Sequence, residues 1–209
     1  MSSSGTPFRL DANTTAYIVI DMQNDFLDPG GYFGKRGLDV GRLARALKPV
    51  AALRDALPKG VRTVYTIQVY EADGSDDLQR VHRLKPSRLA RSPGDVPVVR
   101  GSWGAQIVPE LAPRPQDVVV AKRRFDAFYQ TDLEMLLRCW GVKTVICAGV
   151  VADVCVETSM RSAYVRDFDV VLARDGVEAW NDADFAHTLA ATQSHFGVAA
   201  TNAQIIGAF

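Results

Sequence analysis

Residues 143–164 read KTVICAGVVADVCVETSMRSAY, and the change of pattern inside that stretch decides the fold. Lys143–Ala148 is apolar and β-branched, as a strand buried on both faces should be. Gly149 ends the run, a short loop follows, and from Val154 to Arg166 the spacing is that of a helix. A strand that turns directly into a helix is half of a parallel crossover unit.

Working outward, the same unit recurs. Strands are expected at Ala16–Ile20, Val61–Val69, Asp117–Ala121 and Val170–Ala173, with a weaker one at Gly197–Ala200. Helices are expected at Val40–Ala56, Asp132–Trp140 and Ala183–His195. Strands alternating with helices of this length predict an α/β fold with three layers: a doubly wound, six-stranded, mostly parallel sheet with helices on both faces. The 209 residues suit one domain spanning the whole chain, with residues 1–12 as a flexible arm.

Composition narrows the function. Apolar residues make up 47% and charged residues 23%, values that exclude a disordered, collagen-like or coiled-coil chain. Lys plus Arg and Asp plus Glu both number 24, so no global charge draws the chain to nucleic acid or to an anionic membrane. Apolar runs such as Val142–Val151 fall short of the ~20 residues of a membrane helix. The start, MSSSGTPFRLDANTTAY, lacks the basic-then-apolar order of a signal peptide. Cys139, Cys147 and Cys155 form neither a disulfide framework nor a metal-ligand spacing, which suits a reducing cytoplasm.

In doubly wound sheets ligands bind beyond the carboxyl ends of the strands. Asp21 follows the first strand, Lys122 the third, and Cys155 the loop after the fourth, so an acid, a base and a thiol meet at one edge. At a helix N-terminus Cys155 would have a lowered pKa and react faster with alkylating agents than Cys139 or Cys147; a buried structural thiol is the competing reading. Asp21 can act as a general base or cap a turn. Lys122 can hold the acid and thiol in place or be a solvated surface charge. Asp25 and Asp28, further into the loop, fit the turn role.

DMQNDF (21–26), AKRRFDAF (121–128) and GVVADVCVETSMRSAY (149–164) together resemble the isochorismatase-like cysteine hydrolases, over roughly Ala16 to Arg174. The resemblance implies the catalytic triad Asp21, Lys122 and Cys155. It also implies a cis peptide at Val150–Val151 and an oxyanion hole from the Val151 and Cys155 N–H groups. Asp21 would take the thiol proton, Cys155 would attack a carbonyl carbon, and water would hydrolyse the thioester.

Within that superfamily, nicotinamidases carry a metal-binding Asp-x-His after the second strand. Here TIQVYEADGSDDLQRVHRLKP (66–86) lacks it, although Asp73, Asp76, Asp77 and His82 are candidate oxygen and nitrogen donors. No metal and no cofactor is expected. PGGYFGKRGLDV (29–40), RGSWGAQIVPELAPRPQD (100–117) and TDLEMLLRCWGVK (131–143) resemble ureidoacrylate amidohydrolases and biuret hydrolases, which implies a small linear amide bearing a ureido or carbamoyl group. Asp126 and Ala152 depart from the small residue and the Thr usual there. Asp126 would favour N–H donors or a cation if it faced the pocket; otherwise it would pair with Arg123 or Arg124.

Candidate substrate contacts are Gln23, Phe26, Trp103 in its Gly-flanked GSWG segment, Phe128, Tyr129 and His195. A vinyl-ether hydrolase of the isochorismatase type and a non-catalytic small-molecule-binding protein are the alternatives. The resemblance also implies a homodimer or homotetramer.

Overall fold

In the computed structural model, which describes residues 8–76 and 95–209, the strands are β1 (Thr15–Ile20), β2 (Arg62–Gln68), β3 (Val118–Lys122), β4 (Thr144–Val150), β5 (Asp169–Glu178) and β6 (Val198–Ala200). They form one sheet in the order β3-β2-β1-β4-β5-β6, and every neighbouring pair is parallel. The expected mostly parallel sheet is wholly parallel. Every residue of β1 is buried, which is why its sequence is continuously apolar rather than alternating.

The principal helices are α1 (Leu47–Ala56), α2 (Leu133–Cys139), α3 (Glu157–Tyr164), α4 (Asp182–Ala191) and α5 (Asn202–Ile206). The stretch Val40–Ala56 is not one helix. A turn at Val40–Leu43 passes through a 3-10 turn at Ala44–Ala46 into α1, because Pro49 has no N–H to donate and fits only the first turn of a new helix. Wide π turns, Ala152–Val156 before α3 and Thr192–Phe196 after α4, replace regular α-helix at the ends that were expected to be continuous. The unforeseen α5 starts with a capping box between Thr201 and Gln204.

β5 runs five residues beyond its expected end at Ala173, past the polar Arg174 and Asp175. The register against β4 shifts between Cys147 and Gly149 to accommodate it. Gly149 has φ 120°, and a Cβ there would fall on the backbone of Ile20. Only glycine lets β4 pass that close to β1.

This contact lies where the strand order reverses. β2 and β3 extend the sheet to one side of β1, whereas β4, β5 and β6 extend it to the other. The carboxyl ends of β1 and β4 therefore flank the crevice at the switch point. Among the described residues no helix is long and apolar enough to cross a membrane.

Candidate active site

Asp21 is the first residue past β1 and is fully buried, with the left-handed φ of 52° that aspartate tolerates better than most residues. Its N–H donates to the Thr66 carbonyl at 3.1 Å, and Thr66 Oγ1 donates to Asp21 Oδ1 at 2.8 Å. Lys122 Nζ stands 2.6 Å from Asp21 Oδ2, and neither side chain has any exposed surface. The ammonium also donates to Gln68 Oε1 at 2.8 Å and to the Arg124 carbonyl at 3.1 Å. Burial works against the charge on Lys122, but Asp21 and Cys155 beside it more than offset that, so its pKa is raised.

Cys155 completes the cluster from β4. The Val150–Val151 peptide is cis. The Val151 carbonyl accepts from the N–H groups of Val154 at 3.0 Å and Val156 at 3.2 Å, folding the chain into the turn that carries the thiol. Cys155 is 4% exposed and stands close enough to Asp21 and Lys122 to feel both charges. Burial pushes its pKa well above the ordinary thiol range; Lys122 pulls it down and Asp21 pushes it up, and burial wins. The lowered pKa expected from a helix N-terminus is thus corrected: burial of the thiol raises it instead. Cys147, inside β4, is raised to about 12 by burial alone, while Cys139 is exposed.

The other expected contacts divide. Gln23 is fully buried and its carboxamide is spent on backbone: Nε2 donates to the carbonyls of Gln68 (2.9 Å) and Ala105 (2.8 Å), and Oε1 accepts from Gln68 N–H (2.8 Å). It has no donor left for a substrate. Phe26 is buried and stacked on Phe33 at 5.1 Å, in a row continued by Trp180. Trp103 is half exposed; its carbonyl accepts from Asn24 Nδ2 at 2.7 Å, which stitches the GSWG segment to the loop after β1.

Phe128 faces the core instead, 4% exposed and packed on Phe168 at 6.0 Å. Tyr129 is half exposed and lines a cleft of about 250 Å³ with Asp76 and Arg123. His195 is on the wrong side of the molecule. It lines a cavity of about 330 Å³ with Thr144, Asp169 and Val198, the first residues of β4, β5 and β6, at the amino edge of the sheet. Helix α4 runs back against the strand direction, so its end reaches the edge opposite Cys155.

Asp126 pairs with neither Arg123 nor Arg124. It accepts from Phe128 N–H at 2.7 Å and from Ser162 Oγ at 2.8 Å, a turn tied to α3. Asp28 fills the turn role expected of it, accepting from the Gly30 N–H. Asp25 instead accepts from the N–H groups of Tyr32 and the distant Val98, and so ties two loops together rather than capping a local turn. Asp73 closes a turn onto Ser75, and Asp76 holds Arg123 at 2.9 Å. Asp77 and His82 lie outside the described residues.

Thr66 and Gln68 were missed. The available signal was two polar residues, two apart and hence on one face, in a strand read as buried on both sides.

Comparison with known proteins agrees with this arrangement of strands and loops. Residues 15–204 match the isochorismatase domain family. The chain is 34% identical over 176 residues to a ureidoacrylate amidohydrolase RutB of Methylorubrum extorquens, covering 80% of this chain and 71% of that protein. It is 30% identical to the ureidoacrylate amidohydrolase RutB of Caulobacter segnis, covering 97% and 89%. A cysteine hydrolase from Pseudomonas syringae pv. phaseolicola superposes with a TM-score of 0.83 at 28% identity, over 99% of this chain and 97% of the other. With a matching family spanning nearly all of the sheet and relatives above 30% identity, the chain belongs to the isochorismatase family.

Proposed function

We propose that the protein is a cysteine amidohydrolase that cleaves the C–N bond of a small linear amide of the ureido or carbamoyl type through a thioester. The observation that carries this reading is the Cys155 thiol buried beside the Asp21–Lys122 ion pair at the sheet's switch point. The names of the curated relatives favour the ureido class.

Because burial keeps the Cys155 thiol protonated, it needs a base at the moment of attack. Asp21 takes the S–H proton as the sulfur bonds the carbonyl carbon. The carbonyl π electrons move to oxygen, which rests on the Val151 and Cys155 N–H groups. Asp21 then gives its proton to the departing nitrogen as the C–N bond breaks, leaving a thioester and a free amine or ammonia. A water attacks the thioester, Asp21 accepts its proton, and the acid or carbamate leaves as Cys155 regains the proton. Lys122 remains charged throughout and keeps the carboxylate aimed at the sulfur.

The test is ammonia release from ureidoacrylate, biuret, N-carbamoyl amino acids, nicotinamide and maleamate, with Cys155→Ala protein and a metal chelator as controls. Turnover of a ureido or carbamoyl amide is expected, indifferent to chelator and reduced about 10⁴-fold or more in the variant. Inert amides throughout, or a variant as active as the parent, would overturn the reading and bring forward the vinyl-ether hydrolase or a binding protein.

A further inference from the structure

We infer that Gln68 is a specificity-determining residue of this site, donating from Nε2 to a second acceptor oxygen on the substrate, beyond the carbonyl that is cleaved. The inference rests on the amidohydrolase reading above and adds to it what the rest of the substrate must carry.

Gln68 ends β2, in register with Lys122 at the end of β3, and is 3% exposed. Its backbone is held on both sides by the Gln23 carboxamide, which accepts from the Gln68 N–H and donates to the Gln68 carbonyl. Its side chain is oriented by Lys122, since an ammonium can only donate and therefore selects Oε1, at 2.8 Å. The other end of the same carboxamide, Nε2, is thereby defined as a donor. It is buried and has no partner.

Buried N–H groups are nearly always satisfied, and an orphan one is costly. Three buried polar side chains around Gln68 have assigned roles: Thr66 and Lys122 hold Asp21, and Gln23 holds Gln68 itself. Gln68 is anchored through its backbone and through one of its two polar side-chain atoms, with the second left unused next to the reactive cluster. That is how a preformed ligand contact is built.

The acceptor it meets is not the scissile carbonyl oxygen. That oxygen lies at the turn after β4, whereas Gln68 is on β2, with β1 between them. The β2 and β4 backbones are two strand spacings apart, about 9.5 Å. In the mechanism above the scissile oxygen is already taken up by the Val151 and Cys155 N–H groups, so Gln68, held by Lys122 on the Asp21 side of β2, is left for another oxygen. A substrate spanning from Cys155 to Gln68 therefore carries a second carbonyl or carboxylate oxygen a few bonds from the scissile carbon. A neutral donor beside an already neutralised ion pair suits either kind of oxygen. Biuret supplies a neutral one, N-carbamoylglycine an anionic one, and propionamide neither.

Gln68→Glu tests this, because it keeps an oxygen for Lys122 and removes the donor, while the neutral Gln68→Met variant separates loss of the donor from the negative charge that glutamate adds. Gln68→Met, of similar volume, removes both and serves as the second variant should the first fail to fold. Turnover of biuret, N-carbamoylglycine and propionamide is measured in each variant, and binding of the same three compounds is measured in the Cys155→Ala background. We expect KM and Kd for whichever of the first two the enzyme accepts to rise about ten- to hundred-fold, with kcat little changed and propionamide affected less than two-fold. An equal loss on all compounds, or a fall in kcat alone, would mean that Gln68 only holds Lys122, and no change would mean that it does nothing; each sinks the inference. If the parent hydrolyses none of the three but Cys155→Ala protein binds biuret or N-carbamoylglycine in a Gln68-dependent way, the amidohydrolase reading fails and the anchor stands. If nothing binds, the anchor falls too.

Discussion

Lys122 reaches across β2 to Asp21, and the two charges meet at 2.6 Å with no exposed surface on either side chain. β3 and β1 are not neighbours, so the pair exists only because Lys122 is long enough to pass over the strand between them. The pair neutralises two charges that could not separately be kept away from water.

Removing one partner is therefore expected to cost more than removing both. Asp21→Asn leaves the Lys122 charge buried beside a neutral amide, at a cost of about 3–5 kcal/mol. Asp21→Leu combined with Lys122→Met leaves no uncompensated charge and should be more stable than either single change, though inactive. Urea unfolding of the three variants checks this; a double variant less stable than both singles would contradict it.

Thiol labelling should run opposite to what helix position alone suggests. Cys139 is exposed, whereas Cys155 is buried with its pKa held high. Iodoacetamide at pH 7 is expected to modify Cys139 first. In a Cys139→Ser background, Cys155 labelling should climb about ten-fold per pH unit, in step with its thiolate fraction, without levelling off below pH 10. A plateau near neutral pH would show that Lys122 and the turn outweigh burial.

Stability should fall at alkaline pH. The Cys147 pKa is about 12 in the folded protein against an ordinary 9.0, so the folded state holds its proton more tightly. That contribution is complete below pH 9 and is lost as pH rises toward 12; the raised Cys155 and Lys122 act in the same direction. Melting temperatures from pH 7 to 11 should drop above pH 9, and Cys147→Ala should flatten the drop while costing about 1 kcal/mol at pH 7. An unchanged slope would remove Cys147 from the account.

Gly104→Ala should loosen the loops over the site. A Cβ at Gly104 would fall on the Asp25 carboxylate, which accepts from Tyr32 N–H at 2.8 Å and Val98 N–H at 2.6 Å. Losing either bond leaves a buried group unsatisfied, so a loss of about 1–3 kcal/mol is expected. Faster amide exchange at Tyr32 and Val98 would localise the effect; exchange unchanged at both would refute it.

The sheet and three residues of the candidate site were legible from local pattern. Continuous apolar runs can be buried only in a covered parallel sheet, and in such a sheet every strand points its carboxyl end to one edge. That geometric necessity placed Asp21, Lys122 and Cys155 together although they are far apart in sequence. The same logic would have excluded His195, because a crossover helix runs back to the opposite edge; the sequence reading followed helix length and not helix direction.

What only the tertiary structure decided is how each polar group is satisfied. Gln23 lies three residues past β1 and Gln68 is the last residue of β2, and the local pattern does not say how either carboxamide is used. Gln23 turns out to be spent on the backbone, while Gln68 is fixed at one end by Lys122 and left open at the other. The Cys155 pKa likewise depends on how much water the packed loops exclude, a sum over neighbours from distant parts of the chain. Periodicity records which faces are buried; hydrogen bonding and desolvation are properties of the assembled neighbourhood, and they came into view only when the strands were side by side.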